Sequence, residues 1–369
     1  MEKSEFRKNA SDMIYLTICS LKGETPRPER VAKLDLPMLF EVCQKHILTA
    51  CVAYALESAG IRDKDFIQAK EKAVRKNILL DSERTKILRR LEEEKIWYLP
   101  LKGSLLHHWY PKLGMRQMSD NDILFDKARR SHVKELMTEI GFTCERYGRG
   151  YDDAYFKEPV FNFEMHIDLF APTQGGNFHE YYKDVKEHLI PDDDSDYGYH
   201  FSNEDFYIFM MAHEYKHFSG GGTGVRSLVD TYVFLDVFED LLDWNYITTE
   251  LEKLDIADFE RNNRELALKI FSLGQLTYED KKLLDYYVMS GTYGTTSNFV
   301  SHRIEEEGGG SKFRYVFARL FPPMELYKTW YPWAYRHKYL LPVAWVFRLV
   351  RGATVRRKKF GCELRELSK

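Results

Sequence analysis

The sequence predicts an α+β protein in which a small mixed sheet with helices is flanked by helical N- and C-terminal regions. The first observation is the alternation of apolar and polar residues that runs through most of residues 161–170, which is typical of a strand with one buried face. The second is the run 64–94, in which charged residues surround apolar residues at helical spacing. We therefore expect a helical region over 1–95, a core over 96–200 and a second helical region over 201–369.

The composition is that of an ordered globular chain. The chain has 369 residues, of which 44% are hydrophobic and 15% aromatic, enough for two or three domains with sizeable cores. A formal net charge of −3 gives no global field that would favour nucleic acid. The five cysteines are odd in number and lack CxxC spacing, and the charged N-terminus lacks the apolar core of a signal peptide. We therefore expect reduced thiols and a cytoplasmic protein.

The helical start of the chain leads into a strand, a turn and a helix. The apolar run 96–99 predicts a strand, Pro100 breaks it, and Gly103 and Ser104 precede a helix-compatible segment over 105–110. Backbone amides at a helix N-terminus favour anions, and glycine lets a ligand approach the backbone closely. The turn therefore predicts a phosphate-binding position.

A pair of carboxylates opens the next apolar run. Asp120 and Asp122 are two residues apart, so in a strand both would project from one face while Ile123 and Phe125 point into the core. Two adjacent carboxylates repel each other unless a cation lies between them, and their hard oxygen atoms suit Mg²⁺. An acidic turn before a strand is the other interpretation of this pair.

The alternating segment 161–170 supplies a third carboxylate. Its apolar residues share one face, and its polar residues, Asn162, Glu164, His166 and Asp168, share the other. If this strand lies beside the one that carries Asp120 and Asp122, Glu164 completes a cluster of three carboxylates. A solvated polar face is the alternative.

The helix predicted after Ser202 contains a rival motif. His213, Glu214 and His217 match HExxH, which places two histidines on one helix face with a glutamate as base, as in zinc hydrolases. Lys216 does not suit a metal site, because a cation beside a divalent metal is repelled. The histidines also continue the apolar stripe of this helix, so a core or substrate-contacting role is the other interpretation, and we expect His217 to contact the nucleotide.

Two further features follow towards the C-terminus. Arg226 and Asp230 are four residues apart in the next predicted helix, which indicates either an intrahelical pair or a phosphate ligand in Arg226. The segment 321–359 is rich in aromatic residues and ends in the basic residues Arg356, Arg357, Lys358 and Lys359. We expect an amphipathic packing helix here, with weak membrane-surface or RNA contact through the basic residues as the alternatives. No predicted segment is long enough to cross a bilayer.

The motifs together resemble a bacterial family of poorly characterised nucleotidyltransferases within the polymerase-beta-like nucleotidyltransferase superfamily. The similarity extends through most of the chain. It is carried by a set of short motifs: Leu101-Lys102-Gly103, Tyr110-Pro111, Arg116, Asp120-x-Asp122-Ile123-Leu124, Glu164-x-His166, His213, Lys216-His217 and Asp230.

The resemblance implies a polymerase-beta-like core and a role for each motif. Asp120 and Asp122 would bind two Mg²⁺ ions, and Glu164 would bind one of them or act as the base for the acceptor hydroxyl. The remaining implied roles are nucleotide-binding, with Gly103 and Ser104 at the triphosphate and Lys102 or Arg116 offsetting its charge. Lys102 and Arg116 as surface charges are the alternative.

The sequence thus favours Mg²⁺-dependent transfer of a nucleoside monophosphate from a nucleoside triphosphate to an acceptor hydroxyl. The acceptor stays open between a small molecule, a sugar, a protein and RNA. A zinc hydrolase built on the HExxH match, a non-catalytic nucleotide-binding module and a membrane- or RNA-associated interaction protein are the competing hypotheses.

Overall fold

The computed structural model describes residues 3–172, 177–295, 298–300, 311–322, 324, 327 and 331–354. The chain divides into two compact units. The first comprises Met1–His213 and Gly224–Thr292, and the second comprises Glu214–Thr223 and Tyr293–Lys369.

The first unit begins with helices that lead to the sheet. In order, they are α1 Lys3–Lys22, α2 Pro28–Val31, α3 Leu36–His46, α4 Thr49–Ser58 and α5 Lys64–Glu93. Aspartate side chains begin two of them: Asp35 accepts a hydrogen bond from the amide of Met38, and Asp63 accepts from the amides of Asp65 and Phe66. Such caps satisfy amides that have no partner within the helix.

A five-stranded mixed sheet follows. Its strands are β1 Tyr98–Pro100, β2 Asn121–Phe125, β3 Thr143–Arg146, β4 Asp152–Lys157 and β5 Phe161–His166. They are arranged in the order β1-β2-β5-β4-β3, with β2 and β5 parallel and the other neighbours antiparallel. A separate pair consists of β6 Ile190–Pro191 and β7 Tyr199–His200. The predicted α+β class with a small mixed sheet is confirmed.

The later helices of the first unit surround and follow this sheet. They are α6 Gly103–Leu106, α7 Arg130–Glu139, α8 Phe178–Tyr181, α9 Asn203–Gly221, α10 Val225–Phe238, α11 Trp244–Lys253, α12 Ala257–Phe271 and α13 Tyr278–Ser290. Helix α9 begins as the sequence predicts, because the amide of Asp205 donates to the Ser202 hydroxyl and that hydroxyl donates to the Asp205 carboxylate. Its last turns, from Glu214 onwards, belong to the second unit.

The core lies between one face of the sheet and helices α5 and α7. Strand β2 contributes Ile123 and Phe125 to it, and strand β5 contributes Phe161, Phe163 and Met165. Because side chains alternate along a strand, Asp122, Glu164 and His166 project from the opposite face. Core packing thereby fixes which face carries the polar groups.

Two elements are shorter than the sequence predicts. Strand β5 ends at His166, opposite the first residue of β4, so Asp168 lies beyond the strand. The helix after the turn is the single turn α6 rather than a helix over 105–110. Pro111 disfavours the helical conformation in the residue before it, so a helix could not continue to Tyr110.

The second unit is helical where it is described. Beyond the end of α9 it contains helices Lys312–Leu320, Pro332–Arg336 and Leu341–Thr354, and Tyr327, Tyr331, Ala334 and Ala344 form a small core. The last of these helices lies where an amphipathic packing helix is expected, but its side chains Val343, Val346, Phe347 and Val350 are exposed, so the packing role stays a prediction. Arg356, Arg357, Lys358 and Lys359 lie outside the described residues. Within the part of the chain that is described, no helix has the length and apolarity needed to cross a membrane.

Candidate active site

The parallel pairing of β2 and β5 brings two predicted site residues together. Asp122 stands directly opposite Glu164, and Leu124 stands opposite His166. Asp120 immediately precedes β2, and its carboxylate accepts a hydrogen bond of 2.8 Å from Ser119. The strand pairing on which the sequence argument depended is therefore present, although 42 residues separate Asp122 from Glu164 in the chain.

Three potential metal ligands converge on this face. The ligand atoms of Asp122, Glu164 and His166 all lie within 4.8 Å of one another. His166 Nε2 is 3.4 Å from Asp122 Oδ1 and 4.0 Å from Glu164 Oε2. The set combines carboxylate oxygens with an imidazole nitrogen, which fits a divalent cation. The sequence analysis placed His166 in a motif but assigned it no role. Its position on the same strand face as Glu164 was the feature that could have identified it as a site residue.

Burial and mutual repulsion make the carboxylates harder to ionise. Burial, followed by the charge of Asp122, raises the pKa of Asp120 above its ordinary value. The same two causes raise the pKa of Glu164, against the opposing influence of His166 and of Arg146, which lies 3.5 Å from Glu164. A cation among these groups would relieve the repulsion between them.

The Gly103 turn is held beside the carboxylates by backbone contacts. The amide of Leu101 donates to the carbonyl of Asp122 at 2.9 Å. Lys102 has a positive φ of 21°, and a Cβ atom on Gly103 would lie only 3.2 Å from Arg116 Nη1. A residue with a Cβ atom would fit here only if the ends of the Arg116 and Met118 side chains moved by a few tenths of an ångström. Ser104 is buried, and both its amide and its hydroxyl donate to the carbonyl of Leu101, so its donors fix the shape of the turn.

Arg116 belongs to a buried network. Its guanidinium donates to both oxygens of Asp230, at 2.8 and 3.0 Å, and the Tyr110 hydroxyl donates to the same carboxylate at 2.7 Å. Burial acts to raise the pKa of Asp230, but the charge and hydrogen bonds of Arg116 outweigh it, so the pKa is lowered overall. Arg116 is only 5% exposed, which rules out the interpretation of a surface charge.

Two further cations lie close to Asp120. Arg226 Nη1 donates to the carbonyl of Gln117 at 3.3 Å, and Lys76 Nζ donates to the carbonyl of Ser119 at 2.8 Å. Both charges favour the ionised form of Asp120. Asp230 pairs with Arg116, and no ion pair within 4 Å joins it to Arg226 among the described residues. Lys76 was not predicted, because on sequence it is one of many charges along α5.

The two histidines of the HExxH match fall in different units. His213 lies in the first unit, where its Nδ1 is 2.9 Å from Lys102 Nζ, and His217 lies in the second. Among the described residues, two groups of three or more side chains are placed to hold a metal ion, and neither includes these histidines. The groups are Asp122, Glu164 and His166, and Asp81, His107 and His108. Contact of His217 with a nucleotide stays a prediction.

Comparison with known proteins adds a family assignment to this geometry. A family model described as an uncharacterised nucleotidyltransferase matches residues 32–272, which is more than half of the chain. The match contains the Gly103 turn, the carboxylate cluster and the Arg116–Asp230 pair. Comparisons with curated proteins and with solved structures gave no significant match.

Proposed function

The chain belongs to this family of uncharacterised nucleotidyltransferases, and we propose that it transfers a nucleoside monophosphate from a nucleoside triphosphate to an acceptor hydroxyl, releasing pyrophosphate. The observation that carries the proposal is the pairing of Asp122 with Glu164 on the polar face of the sheet, next to His166 and the Gly103 turn. This arrangement places a cluster of potential cation ligands next to a turn, and a backbone hydrogen bond from Leu101 to Asp122 joins the two.

The cluster would hold Mg²⁺, with two ions shared among Asp120, Asp122 and Glu164. The raised pKa values of Asp120 and Glu164 support a role that places positive charge among them. When bound, such ions supply electrostatic stabilisation for the charge that develops on a transferred phosphoryl group. His166 would orient the carboxylates or join them as a ligand, since its Nε2 faces both Asp122 and Glu164.

The proposed reaction is an in-line displacement at the α-phosphorus. The acceptor oxygen forms a bond to phosphorus, the bond to the bridging oxygen of the β-phosphate breaks, and pyrophosphate leaves with the electron pair. Glu164 accepts the proton of the acceptor hydroxyl. This is the base role that the resemblance to the family implies for Glu164.

Lys102, Gly103 and Arg226 are the proposed phosphate ligands. Gly103 would offer its amide at a position that no Cβ atom blocks, and Lys102 and Arg226 would offset the negative charge. We assign Ser104 and Arg116 to holding the turn, because the donors of Ser104 and most of those of Arg116 already have partners within the protein. Arg116 as a direct phosphate ligand remains the alternative within this proposal.

The zinc hydrolase is the weaker candidate. An ammonium group 2.9 Å from His213 Nδ1 would repel a metal ion at that atom, and His213 belongs to neither of the two ligand groups found among the described residues. A nucleotide-binding module without catalysis remains the other candidate, since the same residues would bind nucleotide without turnover.

A thermal-shift panel tests the proposal. Wild type and Asp122→Asn would be heated with ATP, GTP, CTP and UTP, each with and without Mg²⁺. A nucleotide at one hundred times its Kd stabilises the wild type by about 2.7 kcal/mol, and we expect this Mg²⁺-dependent gain to be absent in Asp122→Asn. Asp168→Asn is the matched control, because Asp168 lies two residues beyond the cluster, and it should retain the gain.

The same panel also distinguishes a ligand-binding role of Asp122 from a purely structural one. If Asp122 contributes only to folding, Asp122→Asn will melt lower than wild type without any ligand. Equal nucleotide shifts in wild type and Asp122→Asn would contradict the proposed metal site. Stoichiometric zinc in the purified protein, together with no nucleotide shift, would favour the hydrolase instead.

A further inference from the structure

A second feature of the first unit is a cavity of about 340 Å³ beside the carboxylate cluster. Helices α3 and α5, the start of α4 and the segment before β2 form its walls. Its polar lining residues are Gln44, Thr49, Lys72, Lys76 and Gln117, and Met118 forms part of its apolar wall. The volume is that of a site for a small molecule.

The cavity has an excess of hydrogen-bond donors and positive charge. Lys72 and Lys76 are one turn apart on α5, a spacing at which like charges destabilise a helix. Neither lysine forms an ion pair within 4 Å in the described part of the chain, and none of the lining residues is acidic. An anion between the two ammonium groups would remove their repulsion.

The amide of Gln117 adds a further donor. Its side-chain oxygen accepts hydrogen bonds from the Thr49 hydroxyl at 2.7 Å and from the amide of Ala50 at 3.0 Å. These bonds fix which end of the amide is the acceptor, so the NH₂ group is the end left to donate. A dianionic phosphate suits two ammonium groups and an amide better than a neutral ligand does.

The cavity adjoins the segment that leads to Asp120. Lys76 donates to the carbonyl of Ser119, the residue before Asp120. Met118 lines the cavity, and its Cε would lie 3.3 Å from a Cβ atom at Gly103. The Met118 side chain therefore contacts both the cavity and the Gly103 turn, and none of the residues that line the cavity belongs to the turn. A nucleotide held at the turn would leave the cavity for the second substrate.

We propose that this cavity binds the acceptor, and that the acceptor is a small molecule carrying a phosphate group held by Lys72, Lys76 and Gln117. The proposal rests on the proposed function, because only a transferase needs an acceptor. It narrows the acceptor from the open set of small molecule, sugar, protein and RNA to a phosphorylated small molecule. It also gives the N-terminal helices a function, since they supply most of the cavity wall.

Lysine labelling with pyridoxal 5′-phosphate tests the anion site without nucleotide or metal. A lysine amine condenses with the aldehyde and releases water, and borohydride reduces the imine to a stable amine that peptide mass spectrometry locates. Pyridoxal, which lacks the phosphate, is the matched reagent. Lys64 is the matched lysine, because it is exposed on the same helix and does not line the cavity.

At each lysine, the labelling rate with pyridoxal 5′-phosphate is divided by the rate with pyridoxal. We expect this ratio to be about fivefold larger for Lys72 or Lys76 than for Lys64, which is the factor for one favourable exposed ion pair. Excess inorganic phosphate should protect the cavity lysines and leave Lys64 unprotected. An equal acceleration at all three lysines would overturn the proposal.

A pair of variants distinguishes the acceptor from the nucleotide's own phosphates. Lys72→Gln should leave the Mg²⁺-dependent nucleotide shift within about 1 °C of wild type, because Lys72 lines the cavity without contacting the carboxylates, whereas Lys102→Gln should reduce it. A reduction as large as that of Lys102→Gln would show that the cavity binds the nucleotide and would overturn the acceptor assignment. Because labelling uses no nucleotide, failure of the proposed transferase activity would appear in the Asp122→Asn panel and not in the labelling pattern.

Discussion

Replacing Asp230 by alanine is the sharpest test of the buried network behind the Gly103 turn. The substitution removes the two hydrogen bonds from Arg116 and the one from the Tyr110 hydroxyl. Arg116 then remains as a guanidinium that is 5% exposed and has no carboxylate partner. Removing one partner of a buried ion pair lowers the free energy of unfolding by about 3–5 kcal/mol, because the other charge stays buried without a partner.

The loss is measurable as a change in the free energy of unfolding. Urea unfolding followed by circular dichroism would give the free energy directly, and thermal unfolding should show a fall in Tm of roughly 10 °C for a unit of this size. Asp194→Asn, at an exposed aspartate, is the control and should change stability by less than about 0.5 kcal/mol. A loss below about 1 kcal/mol for Asp230→Ala would refute the assignment of a desolvated pair.

A double variant then decides what Arg116 does. Arg116→Met with Asp230→Leu removes both charges and fills the site with apolar atoms, so we expect it to recover about 2 kcal/mol or more of the loss. If Arg116 only holds the turn, the stable double variant should retain Mg²⁺-dependent nucleotide binding within about threefold, a difference of less than 1 kcal/mol. Loss of binding in a variant of recovered stability would instead identify Arg116 as a phosphate ligand.

Three further predictions concern stability, the turn and the metal. Burial lowers the pKa of His46 to about 4, and its Nδ1 accepts a hydrogen bond from the amide of Val225. The unfolded chain therefore takes up a proton on His46 at a higher pH than the folded protein does. The free energy of unfolding should fall by about 3 kcal/mol as the pH falls from 6.5 to 4, and urea titrations of His46→Gln should show a weaker dependence of this free energy on pH. Gly103→Ala should weaken nucleotide binding about tenfold or more in calorimetric titration, because the added methyl group, 3.2 Å from Arg116 Nη1, shifts the Gly103 backbone whose amide is the proposed phosphate ligand; an unchanged Kd would contradict that role of the Gly103 amide. Removal of divalent ions with EDTA should abolish the nucleotide-induced thermal shift of wild type, and Glu164→Gln should eliminate transfer while the protein still folds; EDTA-resistant binding would contradict the metal site.

Local sequence patterns identified the residues of the site, but not the contacts between segments that are far apart in the chain. Alternation over 161–170 identified the polar face of β5, and the spacing of Asp120 and Asp122 identified a second acidic face. Their pairing could not be derived, because β3 and β4 lie between them in the chain and periodicity carries no information on which strands become neighbours. The cavity beside Lys76 was hidden for the same reason, since its walls come from elements that are far apart in sequence.

The motifs that resemble the family divide into two sets once the structure is known. One set faces the cluster and consists of Asp122, Glu164 and His166, with Asp120 at its edge. The other set lies behind the Gly103 turn, where Tyr110, Arg116 and Asp230 bind one another and are separated from solvent. On sequence both sets consist of polar residues in short motifs, so a list of ligands is the natural interpretation of all of them. Burial separates the two sets, because a charge whose hydrogen bonds are already made within the protein positions the site, whereas carboxylates that repel one another on an accessible face are the groups that a cation would stabilise.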